Sequence, residues 1–406
     1  MSSKAKQSMD VLEVVEACDA GVGRHVRSLC EDLAIQGHRL TVAYSPYRTD
    51  EAFERFIVDW QDKVRFVPMK VGRKVSPVSD LRGVVELLRL IRREGPFEVI
   101  HGHSSKAGAI ARIAGRLLGI PTLYTPHSLI LSSPEISRLE AAIYTSVERT
   151  LGHWATSKII AVSEDEREFI LKYRLVSRDR IVVIPNAIDD QDLRYLPEME
   201  ACEDLNQRPL TFGAAMRFSA QKAPINLIEA FVLLSDALPE VPMRLVIAGD
   251  GELFAEVEER IAGSGLSDKI SLLGWRASAR EVLRDLDVFV VSSLYEGFSY
   301  SILEAMAAGL PVVSTNVFGT KETVSRVPGN VVVPAGSPDS LAAGMRRMAT
   351  LDKPESLRKS FRRLGRNNHD HIRMYFRRSE ITQLIFEAYR EVGREKLPGS
   401  TPERRP

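Results

Sequence analysis

Short apolar runs alternate with amphipathic helical stretches from the beginning of this chain to its end. That alternation restricts it to parallel β-sheets with helices covering both faces. In the first half the apolar runs are VLEVVEA, RLTVAYS, VRFVPMK, EVIHGH, TLYTPH, KIIAVS and IVVIPN; in the second they are LTFGAAM, RLVIAG, ISLLGW, VFVVSS, PVVST and NVVVPAG. Between the halves, LRYLPEMEA and EDLNQRPLTF lack periodicity and carry turn and polar residues, so a domain boundary is expected near Leu196. At 406 residues the chain exceeds one ordinary core and suits two. The expectation is an α/β protein of two doubly wound domains, residues 1–195 and 196–379. The C-terminal segment is basic and helical (SLRKSFRRLGRNNHDHIRMYFRR, then EITQLIFEAYREVGRE) and ends in a charged, Pro-rich tail.

Charge excludes one broad class of partner. Lys and Arg total 55 against 54 Asp and Glu, so there is no global electrostatic attraction to nucleic acid. Locally the balance is uneven: between Lys63 and Arg116 the cations, among them Arg73, Lys74, Arg82, Arg89, Arg92, Arg93 and Lys106, outnumber Asp80, Glu86, Glu94 and Glu98. Cys18, Cys30 and Cys202 have no metal-ligand spacing and cannot all pair, which points to a reducing compartment, the cytoplasm. The first apolar run is interrupted by Glu13 and Glu16, and no later one approaches the roughly 20 residues of a membrane span. The chain therefore reads as neither secreted nor membrane-spanning.

Four segments offer chemistry at strand ends. AGVGRHVRSL places Gly21 and Gly23 between the first strand and the first helix, where backbone N–H groups can approach a phosphate, or simply make a tight turn. The third glycine of a dinucleotide fingerprint is missing and the next strand ends in Tyr44 and Ser45 without an acid, so an NAD site is disfavoured. HGHSSKAG brings His101, His103 and Lys106 to one strand end and TPHS brings His127 to the next, so these polar groups are expected to converge. The spacing of His101 and His103 suits a metal pair, but no carboxylate or cysteine accompanies them locally, and no metal is expected. MRFSAQKAP offers Arg217 and Lys222, cations able to neutralise a diphosphate or to form a solvated surface. The turns GDGE, with Gly251, and LGW, with Trp275 and Arg276, have glycines that permit close backbone approach.

The most specific segment is YEGFSYSILEAMAAGLPVV. It reads as a strand end, a tight turn and a helix, with Glu296 at the strand's carboxyl end and Glu304 inside the helix. The helix start offers unpaired N–H groups to an anion. Glu304 stands among small and apolar residues, so it is expected to be partly buried and to need partners, for which ligand hydroxyls are suited.

Taken in order, Gly21-Val22-Gly23, HSSKAG, TPH, Pro185-Asn186-Ala187-Ile188-Asp189, Arg217 with Lys222, GDGE, LGW and EGFSYSILEAMAAGLPVV resemble family 4 of the retaining glycosyltransferases. The HSSKAG and RFSAQKAP variants look most like its bacterial exopolysaccharide, capsule and lipopolysaccharide branch. The resemblance implies the GT-B fold, with two Rossmann-like domains facing across a cleft and the C-terminal helix, from about 380, crossing back to the N-terminal domain. It implies a nucleotide-sugar donor, UDP-linked, as co-substrate, no cofactor, and a saccharide or lipid-diphosphate-linked acceptor received by the N-terminal domain. In that scheme Glu304 holds the ribose hydroxyls, and Glu296 with the backbone of Gly297 and Phe298 holds the donor sugar. Arg217 and Lys222, with N–H groups at Tyr300, Ser301 and Gly23, hold the diphosphate; His127 lies beside the sugar; Trp275 and Arg276 face the nucleobase. His101, His103 and Lys106 become acceptor-side candidates. Ser299-Tyr300 and Ala187 depart from the commoner pattern and bear on the donor sugar's identity. The basic face between Lys63 and Arg116 reads either as peripheral contact with an anionic cytoplasmic leaflet or as a solvated helix face with Leu87, Leu88 and Leu90 in the core. An epimerase of the same fold and a non-catalytic nucleotide-sugar-binding subunit are the alternative readings.

Overall fold

The computed structural model describes residues 8–72, 76–134, 136–193, 208–276 and 279–394. The expected boundary near Leu196, Arg73, Lys74, Cys202 and the Pro-rich tail lie outside these residues. The chain forms two units, Met1–Pro185 with Ser379–Pro406, and Asn186–Arg378.

In the first unit the strands are β1 (Asp10–Val15), β2 (Arg39–Tyr44), β3 (Val64–Pro68), β4 (Val99–His103), β5 (Thr122–Thr125), β6 (Lys158–Ala161) and β7 (Ile181–Val183). They pair in parallel in the order β3-β2-β1-β4-β5-β6-β7. The order reverses between β1 and β4, and at such a reversal the carboxyl ends of neighbouring strands open a crevice for ligands. Burial is nearly continuous along β1, β4 and β5, as expected of strands covered on both faces. Leu12, Val14 and Ile100 pack with Leu87, Leu90 and Ile91 of the helix Pro77–Glu94 and with Ile110 and Ala114 of the helix Ser105–Leu118. The C-terminal helix, Arg378–Arg394, buries Ile381, Ile385, Phe386, Tyr389 and Val392. It is fastened to this unit by Thr382, whose hydroxyl donates to Asp32 at 2.7 Å, and by Glu391, 2.5 Å from the Lys158 ammonium.

The second unit repeats the plan with β8 (Leu210–Ala215), β9 (Met243–Ala248), β10 (Ile270–Gly274), β11 (Val288–Val291), β12 (Val312–Thr315) and β13 (Val331–Val333), in the order β10-β9-β8-β11-β12-β13. Its core gathers Phe212, Phe231, Leu245, Val288, Met345 and Phe361. The long helix Pro354–Tyr375 is anchored by a buried charge cluster. Arg358, 2% exposed, donates from Nε to Asp287 at 3.1 Å. The fully buried Asp287 also accepts from Arg208 at 2.6 Å and from the Thr211 backbone N–H at 2.9 Å.

Candidate functional site

In the second unit, loops after β8, β9 and β11 meet at one sheet edge. The loop after β8 carries Arg217 at the surface, then Phe218 buried, then Lys222 in a short turn Ala220–Lys222. The loop after β9 closes against it: the Phe218 N–H donates to the Asp250 carbonyl at 2.8 Å and Leu253 N–H to the Phe218 carbonyl at 3.1 Å. Gly251 has φ +153°, and a Cβ there would stand 2.4 Å from the Phe218 carbonyl oxygen. The close approach foreseen for the GDGE turn is therefore made by the neighbouring loop.

Glu296 follows β11 and is only 7% exposed. Its Oε1 forms an ion pair with the Lys222 ammonium and accepts from the Ser293 hydroxyl at 2.7 Å. Ser293 is held in turn by Thr315, whose hydroxyl donates to the Ser293 carbonyl at 2.6 Å. Further bonds join the two loops: Ser292 Oγ to the Lys222 carbonyl at 2.7 Å, and Gln221 Nε2 to the Tyr295 carbonyl at 2.9 Å. Gly297 and Phe298 are buried, and Asn186 Nδ2 donates to the Phe298 carbonyl at 2.9 Å. The helix Tyr300–Ala307 starts immediately afterwards, and the N–H groups of Tyr300 and Ser301 lie in its first turn, where they have no intrahelical acceptor. Glu304, partly exposed, follows one turn later. Lys222, Glu296, Gly297, Phe298, Tyr300, Ser301 and Glu304 thus line one continuous edge. Trp275, 61% exposed, and Arg276 sit just past β10.

In the first unit the histidines converge more deeply than expected. His101 and His103, the acceptor-side candidates, have no exposed surface. His103 Nε2 lies 2.7 Å from Glu13 Oε2, and its Nδ1 lies 3.0 Å from His127 Nε2. His101 Nδ1 is 2.6 Å from the Tyr389 hydroxyl and its Nε2 is 2.8 Å from that of Thr125. Tyr389 donates to Glu13 Oε1 at 2.7 Å. Burial, reinforced by the neighbouring imidazoles, holds His101 and His127 well below the ordinary histidine range, so both are neutral at pH 7. His127 is partly exposed and has φ +59°, followed by Ser128 at φ +127°, an unusual pair for residues with side chains. Lys106 leaves this group: it pairs with Asp80 at 2.9 Å and donates to the Gly72 carbonyl at 2.7 Å.

Two further readings change. Gly21 and Gly23 lie inside the helix Ala20–Ile35, not in the turn before it. The Gly23 N–H already donates to the Asp19 carbonyl at 3.1 Å, and a Cβ on Gly23 would stand 2.2 Å from the Cys18 carbonyl oxygen, so this glycine serves packing. The carboxylate missing beside the histidines in sequence is supplied by the fold as Glu13. Glu13 with His101 and His103, and His25 with His103 and His127, have ligand atoms within 4.8 Å of one another, which is compatible with a metal ion. Glu13, His25, Tyr389 and Ser293 were not foreseen as site residues. Glu13 had one signal, a charge flanked on both sides by apolar residues of a strand, which in a parallel sheet must find a buried partner.

Residues 20–192 match the family profile described as Glycosyltransferase Family 4, and residues 209–350 match Glycosyl transferases group 1. The chain is 31% identical over 270 residues to the UDP-Gal:alpha-D-GlcNAc-diphosphoundecaprenol alpha-1,3-galactosyltransferase of Escherichia coli, covering 64% of this chain and 68% of that one. It is 28% identical over 272 residues to the putative glycosyltransferase EpsF of Bacillus subtilis, covering 66% and 69% respectively. Among solved structures, Anabaena HepE in complex with UDP superposes with a TM-score of 0.75 at 19% identity, over 94% of this chain and all of that one, a likeness of fold. The paired Rossmann-like units, the ordered strand-end motifs and these matches make the chain a member of glycosyltransferase family 4.

Proposed function

We propose that the protein transfers a sugar from a UDP-linked donor to a saccharide or lipid-diphosphate-linked acceptor, with retention of configuration, in the synthesis of a bacterial surface polysaccharide. The observation that carries this reading is the Lys222–Glu296 pair, held at the carboxyl end of β11 beside the start of the helix Tyr300–Ala307. It sets a cation and a carboxylate together where a sugar diphosphate needs both. The printed names of relatives supply the rest: the E. coli enzyme uses UDP-Gal and a diphosphoundecaprenol-linked acceptor, and HepE was solved with UDP.

In this reading the second unit binds the donor. Glu304 takes the ribose hydroxyls, Glu296 with the backbone of Gly297 and Phe298 takes the sugar, and Trp275 and Arg276 face the base. Arg217, Lys222 and the N–H groups of Tyr300 and Ser301 take the diphosphate. Positive charge from Arg217 and Lys222 stabilises the departing nucleoside diphosphate as the anomeric carbon becomes oxocarbenium-like, so the reaction requires no divalent cation. The first unit takes the acceptor, and within it His127 is the candidate for contact with a sugar. Gly21 remains a candidate for the donor's phosphates through its first-turn N–H. The enzyme works in the cytoplasm and meets lipid-linked acceptors at the inner face of the membrane; no helix among the described residues is long and apolar enough to cross one.

The test is a donor screen that follows nucleoside diphosphate release with lipid-linked and soluble saccharide acceptors present and absent, in buffer with and without EDTA. Acceptor-dependent release from a UDP-sugar that survives EDTA, with the product's anomeric configuration matching the donor's, is expected. Release without any acceptor, or a product of inverted configuration, rejects the proposal.

A further inference from the structure

The hydrogen-bond chain around Glu13 determines more than the position of its members, because with one proton on each imidazole its chemistry allows one assignment of protons. A carboxylate only accepts, so both groups that meet Glu13, the Tyr389 hydroxyl at 2.7 Å and His103 Nε2 at 2.7 Å, must donate to it. With a single proton, and that proton on Nε2, His103 has a bare Nδ1. That nitrogen lies 3.0 Å from His127 Nε2, so His127 must carry its proton on Nε2. The other branch closes without conflict. Having given its proton to Glu13, Tyr389 accepts from His101 Nδ1 at 2.6 Å, and His101 Nε2 accepts from the Thr125 hydroxyl at 2.8 Å. Every donor along the chain meets one acceptor, and Glu13, His101 and His103 have no exposed surface from which water might intervene.

We infer that Glu13 and His103 are positioning residues for His127, and that Tyr389, reaching in from the C-terminal helix, orients Glu13. Together they fix His127 as the Nε2–H tautomer and leave its Nδ1 as the nitrogen that meets a ligand. The inference rests on the reading of His127 as a sugar-contacting residue and gives that contact a direction: His127 accepts a hydrogen bond from a sugar hydroxyl and does not donate one. The left-handed backbone at His127 and the unusual Ser128 fit this role, since an imidazole on a strained turn keeps its orientation only when something behind it holds the ring.

The experiment is a long-range proton–nitrogen correlation spectrum of the full chain labelled with 15N-histidine, at pH 7 and without donor, assigned by removing His103 and His127 in turn. The expected result is that both residues are protonated on Nε2 alone. A proton on Nδ1 of His127, a doubly protonated His103, or stoichiometric zinc in the purified protein at the His25, His103 and His127 nitrogens overturns the assignment. Turnover then tests its use. Glu13→Gln offers an amide donor to His103 and is expected to lower kcat about 10²-fold with the donor KM little changed, while Glu13→Asp keeps a carboxylate and stays well above it. His103→Gln can donate to Glu13 and accept from His127, so it retains the Nε2–H signal of His127 and more activity than His103→Leu, which keeps neither. Wild-type turnover in Glu13→Gln or His103→Leu overturns the positioning role. If the spectrum is as expected but His127→Ala turns over normally, it is the sugar contact that falls; if His127→Ala is inactive and the spectrum is wrong, only the chain falls.

Discussion

Lys222 holds Glu296 in an ion pair with the Ser293 hydroxyl beside it on the same oxygen, and the proposed chemistry draws on that ammonium again when the diphosphate leaves. Lys222→Ala and Arg217→Ala are each expected to lower turnover by about 10²-fold or more while the fold persists, because charge at the leaving group counts most in the transition state. Rates of nucleoside diphosphate release together with circular dichroism check this; near wild-type rates in both variants remove the leaving-group role. Glu304→Ala is expected to weaken binding of a ribose donor but not of its 2'-deoxy counterpart, measured by calorimetry, and equal wild-type affinity for the two would give Glu304 another task. A pH effect follows from Glu166, whose buried carboxyl is pushed up from 4.5 to about 7, by burial against the opposing pull of the Val162 and Ser128 backbone N–H groups. A raised carboxyl pKa stabilises the folded state fully below the unfolded value, and the benefit is lost as pH rises through the folded one. Glu166→Gln is therefore expected to gain stability relative to wild type between about pH 4.5 and about pH 7, by at most on the order of 3 kcal/mol, in denaturant melts at pH 5 and pH 8. At this scale Glu304 could be singled out as a candidate because a carboxylate stands out in an apolar stretch, and Glu296 because it follows a strand's carboxyl end. The chain at Glu13 could not be, because its partners lie 90 and 376 residues away and only the β1–β4 pairing and the C-terminal helix bring them in.

Each apolar run read as a strand contains one of β1 to β13, since a parallel strand buried on both faces leaves an uninterrupted apolar signature. Helix starts were harder to place. The helix Ala20–Ile35 begins at Ala20 with φ +48°, and its two glycines look like turn residues until the Cys18 carbonyl behind Gly23 is seen. The helix Pro354–Tyr375 depends on a contact with no local signature, the Arg358–Asp287 pair. Asp287→Ala would leave the buried Arg358 guanidinium without its carboxylate, and a loss of about 3–5 kcal/mol is expected in equilibrium unfolding. Asp287→Ala paired with Arg358→Met should recover much of that loss; an equal loss in the single and double variants would show that the cluster does not anchor the helix.

At the scale of the whole molecule, one exposed helix face offers a test of membrane contact. Within the first unit, the helix Pro77–Glu94 turns Leu87 and Leu90 into the core and Leu88 partly so, which leaves Arg82, Arg89, Arg92 and Arg93 with Val78 and Leu81 on its exposed face. Each cation near an anionic surface adds roughly 1 kcal/mol of attraction. Co-sedimentation with anionic vesicles at low salt is expected, and it should fall when Arg89, Arg92 and Arg93 are replaced by Gln; no sedimentation, or no change on replacement, removes the docking face. The placement of the helix Arg378–Arg394 carries a consequence of another kind, one of timing. Its Tyr389 touches Glu13 near the opposite end of the chain, and its apolar face is buried in the unit whose strands are synthesised first. On the ribosome those strands leave the exit tunnel before the second unit is made, yet Tyr389, one of the two groups that meet their central carboxylate, is translated after it. The first unit therefore gains the last helix of its core, and the second partner of Glu13, only after the whole of the second unit has been made.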